Sequence, residues 1–298
     1  MLTSFRELHD RARAGERRTI AVACAHDEDV LVSLDRAVRE GLARPLLIGR
    51  QAEIEAIRTR RGLSFPLDGL IDCAEDAEAC EIAVRRVSGG EAQLLMKGLV
   101  STATFLRAVL NKDWGLRDRS LLSHVTVFEG RDPERLILLT DVAMNIAPDL
   151  AQKVQILENV VGLAHRLGIA RPKVAPIAAV ETVTVDMPAT VDAAVLSKMA
   201  DRGQIKGCVV DGPLALDNAL SAEAARHKGI TSPVAGCADV LLMPCIEAGN
   251  VLYKTLGHFT DVGMAAVVVG ARVPAVLTSR ADSNATKFNS IALAAAIS

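Results

Sequence analysis

Residues 124–140 read HVTVFEGRDPERLILLT. Two strand-like runs, 124–129 and 135–140, stand either side of the turn-rich Gly130, Arg131, Asp132 and Pro133, with no room for a crossover helix. That spacing predicts a hairpin, and so an antiparallel pair. The pattern on either side of it is different. Short Val/Ile/Leu runs at 19–25, 44–49, 69–73 and 93–98 precede it, and runs at 173–180, 207–212, 239–244, 265–270 and 274–279 follow it. Most are separated by segments of helical period, which predicts βα units and parallel strands. The last two runs are again too close for a helix between them. A chain that leaves one sheet near 118 and returns near 269 accounts for both irregularities. The expected fold is therefore α/β with two domains, a parallel-sheet domain from 1–118 plus 269–298 and a second α/β domain, 119–268, inserted in it. No internal repeat, low-complexity tract or long Pro/Gly/Ser linker interrupts the chain, so the two domains are expected to be closely docked.

Composition narrows the function. Half of the 298 residues are hydrophobic but only 3% are aromatic, so the core must be built from Ala, Val, Leu and Ile. The 34 basic and 36 acidic residues give a net charge of −2 without blocks of like charge, which disfavours a nucleic-acid surface. Cys24, Cys73, Cys80, Cys208, Cys237 and Cys245 form no C-x-x-C pair and read as reduced, packed thiols of a cytoplasmic protein. The opening MLTSFRELHDRARAGERR has no apolar signal core. The most apolar stretch, VGMAAVVVGA (262–271), is about half a membrane span, so a membrane partner is not expected.

In parallel α/β sheets, ligands gather at the carboxyl ends of strands, where loops and helix N-termini converge. Those ends carry His26 and Asp27, Arg50, Lys97 and Gly98, Thr140 and Asp141, Asp211 and Gly212, and Ser279 and Arg280. Two of them concentrate anion-binding chemistry. In LLMKGLVSTATFLRAVL (94–110), Lys97 ends a buried run, Ser101 and Thr102 open a helix, and Arg107 follows about a turn inside it; helix N–H groups and cations together suit a phosphate. In SRADS (279–283), Arg280 offers a guanidinium fork, Ser279 a hydroxyl and Asp282 a carboxylate. Each stretch also has a plain structural reading, as Ser/Thr or Asp/Ser helix caps with a snorkelling lysine or a surface arginine. Other chemistries lack their marks: the chain has no G-x-x-x-x-G-K-[ST], no G-x-G-x-x-G after a strand, no H-E-x-x-H and no G-x-S-x-G.

Six ordered blocks carry a more specific signal: MKGLVSTATFLRAVL (96–110), LLTDVAMNIAPDLAQKVQI (138–156), VVDGPLALDNAL (209–220), SPVAGCADVLLMP (232–244), EAGNVLYKTLGHFTDV (247–262) and VLTSRADSNATKFNSIALA (276–294). Together they resemble the phosphate acetyltransferase and phosphate butyryltransferase family from about Gln93 to the end. The resemblance implies reversible transfer of a short acyl group between coenzyme A and inorganic phosphate through a ternary complex. Coenzyme A would be a substrate, with no permanently bound cofactor and no metal. It also implies a homodimer and a fold like that of the isocitrate and isopropylmalate dehydrogenases, with the active cleft between the two domains.

Carried over by position, Ser279 and Arg280 match a Ser-Arg pair associated with coenzyme A and phosphate, and Arg107 matches an arginine associated with the phosphate. Asp141 and Asn145 match a D-x-x-x-N motif, and Gly249, Asn250, Tyr253 and Lys254 match G-N-x-x-Y-K. On this reading Ser279, Arg280 and Asp282 are catalytic, and Lys97, Ser101, Thr102, Arg107, Asp141, Asn145, Asn250 and Lys254 bind phosphate or coenzyme A. The chain departs from the family in two places. Acetyl-type members carry a carboxylate six or seven residues after the signature serine, where Ala285 and Thr286 stand here, so Asp282 becomes the candidate base. A second, N-terminal arginine has only Arg60 or Arg61 as counterparts. M-K-G before the helix is similar to the butyryl branch. Two alternatives stay open: an acyl-CoA sensor of the same fold without turnover, and a metal- and NAD-dependent dehydrogenase.

Overall fold

A computed structural model describes residues 2–118, 121–130, 135–279 and 281–298. The chain forms two compact units, one from Phe5–Ser120 with Gly263–Ser298 (the terminal unit) and one from Leu121–Val262 with residues 1–4 (the inserted unit).

The terminal unit begins with α1 (Phe5–Ala14), β1 (Arg18–Ala23), α2 (Glu28–Arg39), β2 (Ala43–Gly49), α3 (Gln51–Arg61), β3 (Ile71–Asp72), α4 (Asp76–Ser88), β4 (Leu94–Lys97) and α5 (Thr102–Val109). The inserted unit then runs β5 (Ser123–Glu129), β6 (Leu136–Thr140), α6 (Leu150–Arg166), β7 (Lys173–Pro176), α7 (Pro188–Asp201), β8 (Val209–Val210), α8 (Leu216–Leu220), α9 (Ala222–His227), β9 (Val240–Leu242) and α10 (Ile246–Phe259). The chain ends in the terminal unit with β10 (Met264–Val269), β11 (Ala275–Val276) and α11 (Asn284–Ala296).

In the terminal unit the strand order is β3-β2-β1-β4-β11-β10. All neighbours are parallel except β10 and β11, which pair antiparallel through Val268 and Ala275. The reversal follows from the link 270–274, far shorter than the dozen or more residues a parallel crossover needs. The order switches direction between β1 and β4, the crevice where such sheets receive ligands. The strands are apolar because both faces are covered: Leu94, Leu95, Met96 and Lys97 of β4 are all buried. Helix α11 is buried without a break from Thr286 to Ala294 and packs on β10, α2 and α1. An alanine-rich helix can lie so deep because its few polar groups find partners. The Asn289 amide donates to Met264 O and meets the His9 ring, and Ser290 Oγ accepts the Ala266 N–H.

The inserted unit carries the order β5-β6-β9-β7-β8. Strands β5 and β6 are antiparallel, with Thr126 beside Leu139 and Glu129 beside Leu136, while β6, β9, β7 and β8 are parallel. The Arg131–Pro133 part of the sequence-predicted turn lies outside the described residues. Helix α6 starts in a capping box between Asp149 and Gln152, and its Lys153 reaches Asp192 of α7 at 2.6 Å. Among the described residues no helix is long and apolar enough to cross a membrane.

Candidate active site

Strands β4 and β11 pair in parallel, Leu95 beside Ala275 and Met96 beside Val276. Neighbouring strands lie about 4.8 Å apart, so the loops that leave their carboxyl ends start side by side. This brings together two stretches that are far apart in sequence.

The first loop runs from β4 to α5. Gly98 N–H donates to Ala23 O and Leu99 N–H to Cys24 O, both at 2.8 Å, which ties the loop to the exit of β1. Lys97 is buried, and its ammonium donates to the carbonyls of Gly98 (3.1 Å) and Val100 (3.0 Å), so it braces the turn from within. Ser101 caps α5: its Oγ accepts the Thr104 N–H at 3.0 Å and lies 2.9 Å from Thr104 Oγ1. Thr102, the first helical residue, is exposed. Arg107 is exposed in the last turn of the helix, roughly 9 Å along the axis from the cap at 1.5 Å per residue.

The second loop runs from β11 to α11. The Asp282 carboxylate accepts the Ser279 N–H at 2.6 Å, Ser279 O accepts the Asp282 N–H at 3.1 Å, and Ser279 Oγ accepts the Ala281 N–H at 3.3 Å. Ser283 caps α11 as Ser101 caps α5, its Oγ accepting the Thr286 N–H at 3.1 Å. Beneath the turn Lys287, only 2% exposed, donates to Asp282 O at 2.5 Å and lies 3.7 Å from Asp29. Arg280 lies outside the described residues.

Helix N-termini are usually eased by acidic side chains in the first turn. In the terminal unit α1 carries Glu7 there, α2 Glu28 and Asp29, α3 Glu53, and α4 Asp76 and Glu78. Helices α5 and α11 carry none. These are the two helices that start beside the paired exits of β4 and β11. Each first turn has one N–H taken by its serine cap and no acidic side chain of its own, with Lys97 and Lys287 buried below.

In the inserted unit the D-x-x-x-N residues fold onto each other. Asp141 is buried, and its carboxylate accepts Ala143 N–H (2.8 Å), Met144 N–H (3.0 Å), His124 N–H (3.2 Å) and the Asn145 amide (2.5 Å). Asn145 also donates to Leu122 O, and Asn250 donates to Val142 O, both at 3.0 Å. Gly249 is required by this packing, because a Cβ there would meet Asp141 O at 2.3 Å. Lys254, one turn further along α10, is exposed, with its ammonium 5.1 Å from the Tyr253 ring centre. Arg60 and Arg61 both pair with Glu28, whose carboxyl they hold below its usual range.

His26 is buried at the exit of β1, and burial, helped by Arg50, pushes its imidazole below the usual histidine range. Cys208, which sequence reading put within a strand, lies one residue before β8, and burial raises its thiol to about 11. Cys24 is different. Sequence reading put it inside the first strand, but that strand ends at Ala23, and Cys24 adopts a left-handed φ of 54°. Sequence reasoning also passed over Thr104, Thr286 and Lys287; the repeated S-x-x-T at 101–104 and 283–286 was the available signal.

A doubly wound sheet with two bare helix N-termini at adjacent strand exits defines a class of protein that handles anionic, phosphate-like substrates. Comparison with known proteins specifies the class. The family profile described as "Phosphate acetyl/butaryl transferase" matches residues 72–295. The chain is 52% identical over 297 residues to a phosphate butyryltransferase of Clostridium acetobutylicum, covering 100% of this chain and 99% of that one. It is 46% identical over 281 residues to a phosphate acetyltransferase of Thermotoga maritima, covering 94% and 95%. The crystal structure of a branched-chain phosphotransacylase from Enterococcus faecalis superposes with a TM-score of 0.84 at 34% identity, covering 94% of this chain and 98% of that one. The chain belongs to the phosphate acetyl/butyryltransferase family and is a phosphate acyltransferase.

Proposed function

We propose that this enzyme moves a short acyl group, with a preference for butyryl over acetyl, directly between coenzyme A and inorganic phosphate in a ternary complex. The butyryl preference is supported by the 52% identity to a phosphate butyryltransferase and by the M-K-G at 96–98. The placement of phosphate rests on one observation: the parallel pairing of β4 and β11 sets side by side the strand exits that lead into two serine-capped helices with acid-free first turns.

In the proposed reaction the coenzyme A thiolate attacks the carbonyl carbon of an acyl phosphate. The carbon–oxygen bond to phosphate breaks, phosphate leaves with the electron pair, and the reverse reaction follows the same path. The α5 N-terminus with Thr102, supported by Lys97 and reached by Arg107, holds the phosphoryl oxygens. Ser279 and the α11 N-terminus, with Arg280, offset charge on the developing oxyanion. Asp282 orients Ser279 and is the proposed acceptor of the thiol proton; a thiol of pKa about 8.5 is only a few per cent ionised at pH 7. Asp141, Asn145, Asn250 and Lys254 are assigned to the same pair of substrates, with Asp141 shaping its loop and Lys254 supplying charge. The protein is further proposed to act in the cytoplasm as a homodimer.

The test is phosphate-dependent release of free thiol from acetyl-CoA, butyryl-CoA and a branched acyl-CoA. Turnover fastest with butyryl-CoA supports the proposal. Equal kcat/KM for acetyl-CoA refutes the preference, and acyl-CoA binding without turnover favours a sensor. Asp282→Asn keeps the side chain's size and removes the proton acceptor, which should cost on the order of 10²- to 10⁴-fold in kcat; an unchanged kcat refutes its role as the base.

A further inference from the structure

Ten glycines take a positive φ, the usual solution wherever the chain must turn left-handed. Among the described residues only one other residue does so, and it is Cys24. An L-residue there pays a conformational penalty that glycine avoids, so its side chain must do something that glycine cannot. Cys24 is fully buried, and its thiol donates to Asp76 O at 3.5 Å, in the first turn of α4. The Cys24 backbone faces the other way. Its carbonyl accepts the Leu99 N–H at 2.8 Å, and Gly98 lies so close that a Cβ there would meet Cys24 O at 2.2 Å. One residue therefore ties α4 to the β4–α5 loop, its thiol on the helix and its carbonyl on the loop.

We propose that Cys24 is a positioning residue for phosphate: its thiol, held by Asp76 O, fixes the left-handed turn whose carbonyl sets the loop 98–102 and the α5 N-terminus at the distance phosphate requires. This rests on the reading that this loop holds phosphate. Cysteine suits the position because it is small enough to be buried beside Asp76 and still donates a hydrogen bond. Alanine keeps the strained φ without the anchor, glycine removes both strain and anchor, and serine keeps a small donor.

The experiment measures phosphate KM, acyl-CoA KM, kcat and Tm for Cys24→Ala, Cys24→Ser, Cys24→Gly and Lys97→Gln. The expected result for Cys24→Ala is a rise in phosphate KM of roughly tenfold, the size of one hydrogen-bond-scale restraint, with acyl-CoA KM unchanged. Cys24→Ser should return phosphate KM to within about twofold of the parent, as a donor of similar size restores the anchor. If Cys24→Ala does not fold, Cys24→Gly removes the thiol anchor without keeping the strain and should raise phosphate KM in the same selective way. An unchanged phosphate KM in these variants, while Lys97→Gln raises it, overturns the role of Cys24 and leaves the loop assignment standing. If Lys97→Gln also leaves it unchanged, the loop assignment has failed and the inference falls with it. A lower Tm and kcat with no movement of phosphate KM, alike in Cys24→Ala and Cys24→Ser, reduces Cys24 to packing and overturns the proposal.

Discussion

Gly98→Ala is the sharpest test of how the β4–α5 loop is built. A Cβ at this position would lie 2.2 Å from Cys24 O, 2.8 Å from Cys24 C and 2.9 Å from Ala23 O. Every one of these neighbours is backbone, so no side-chain rotation relieves the overlap; the loop must lift off the β1 exit or the exit must move. Lifting by the ångström or so needed for a normal contact breaks the Gly98-to-Ala23 and Leu99-to-Cys24 hydrogen bonds, both 2.8 Å long. Overpacking of a closed site costs about 1–3 kcal/mol, and two lost backbone bonds add about 1 kcal/mol each. The expected loss is therefore roughly 3–5 kcal/mol, seen as a Tm lowered by about 6–20 °C at the 2–4 °C per kcal/mol of chains this large. A displaced α5 N-terminus should also raise phosphate KM by about tenfold or more. Gly162→Ala is the control. Gly162 lies inside α6, exposed and with nothing within 4 Å of an added Cβ, so alanine should raise stability by about 0.5–1 kcal/mol. Thermal unfolding and initial-rate kinetics at varied phosphate measure both. A Gly98→Ala enzyme with the parent's Tm and phosphate KM would refute the close approach of loop and strand exit.

Two further expectations concern stability. His9 and His26 are held below the usual histidine range, each chiefly by burial, so the folded protein binds their protons less readily than the unfolded chain. Their contribution is present above the ordinary value of 6.5 and lost as pH falls through the lower folded values. Tm should drop between pH 7 and 5 more steeply than in His9→Gln/His26→Gln, and equal slopes would contradict this. Lys153, with an 8% exposed side chain on Asp192, should cost about 2–4 kcal/mol when changed to Ala, because the removal strands a partly buried carboxylate. Lys198→Ala, which breaks the exposed pair with Asp201, should cost under about 1 kcal/mol in the same denaturant titration.

The strands were legible because sheets covered on both faces write their strands as unbroken apolar runs; β4 appears in sequence as LLMK and in the structure as four buried residues. The β5–β6 reversal was legible from a gap too short to cross over, and the β10–β11 reversal for the same reason. The neighbourhood of Lys97 and Ser279 was not. It depends on which strand lies beside β4, and strand order is a long-range property that no local spacing encodes. Side-chain direction was also hidden. Lys97 reads as a cation at a strand end, yet its ammonium turns back onto the carbonyls of its own loop, since a buried ammonium seeks acceptors before solvent. Asp141 reads as a ligand-facing acid, whereas four N–H donors surround its carboxylate. Cys24 was misplaced because a left-handed residue after a strand leaves no mark unless it is glycine or asparagine.

The two loops of the terminal unit share a plan. Each leaves a buried strand, closes on a serine cap with threonine three residues on, and stands over a lysine turned into its own carbonyls, Lys97 in one and Lys287 in the other. Two buried ammoniums and two helix N-termini concentrate positive potential that Asp29, beside Lys287, and Asp282 answer only in part, since neither first turn carries an acid. A carboxylate at Ala285 or Thr286 would sit in the first turn of α11, at the second or third helical position, and would answer part of it. On the proposed reading, a first turn without a carboxylate keeps that potential for phosphate and leaves Asp282, in the turn before the helix, both to hold Ser279 and to accept the thiol proton.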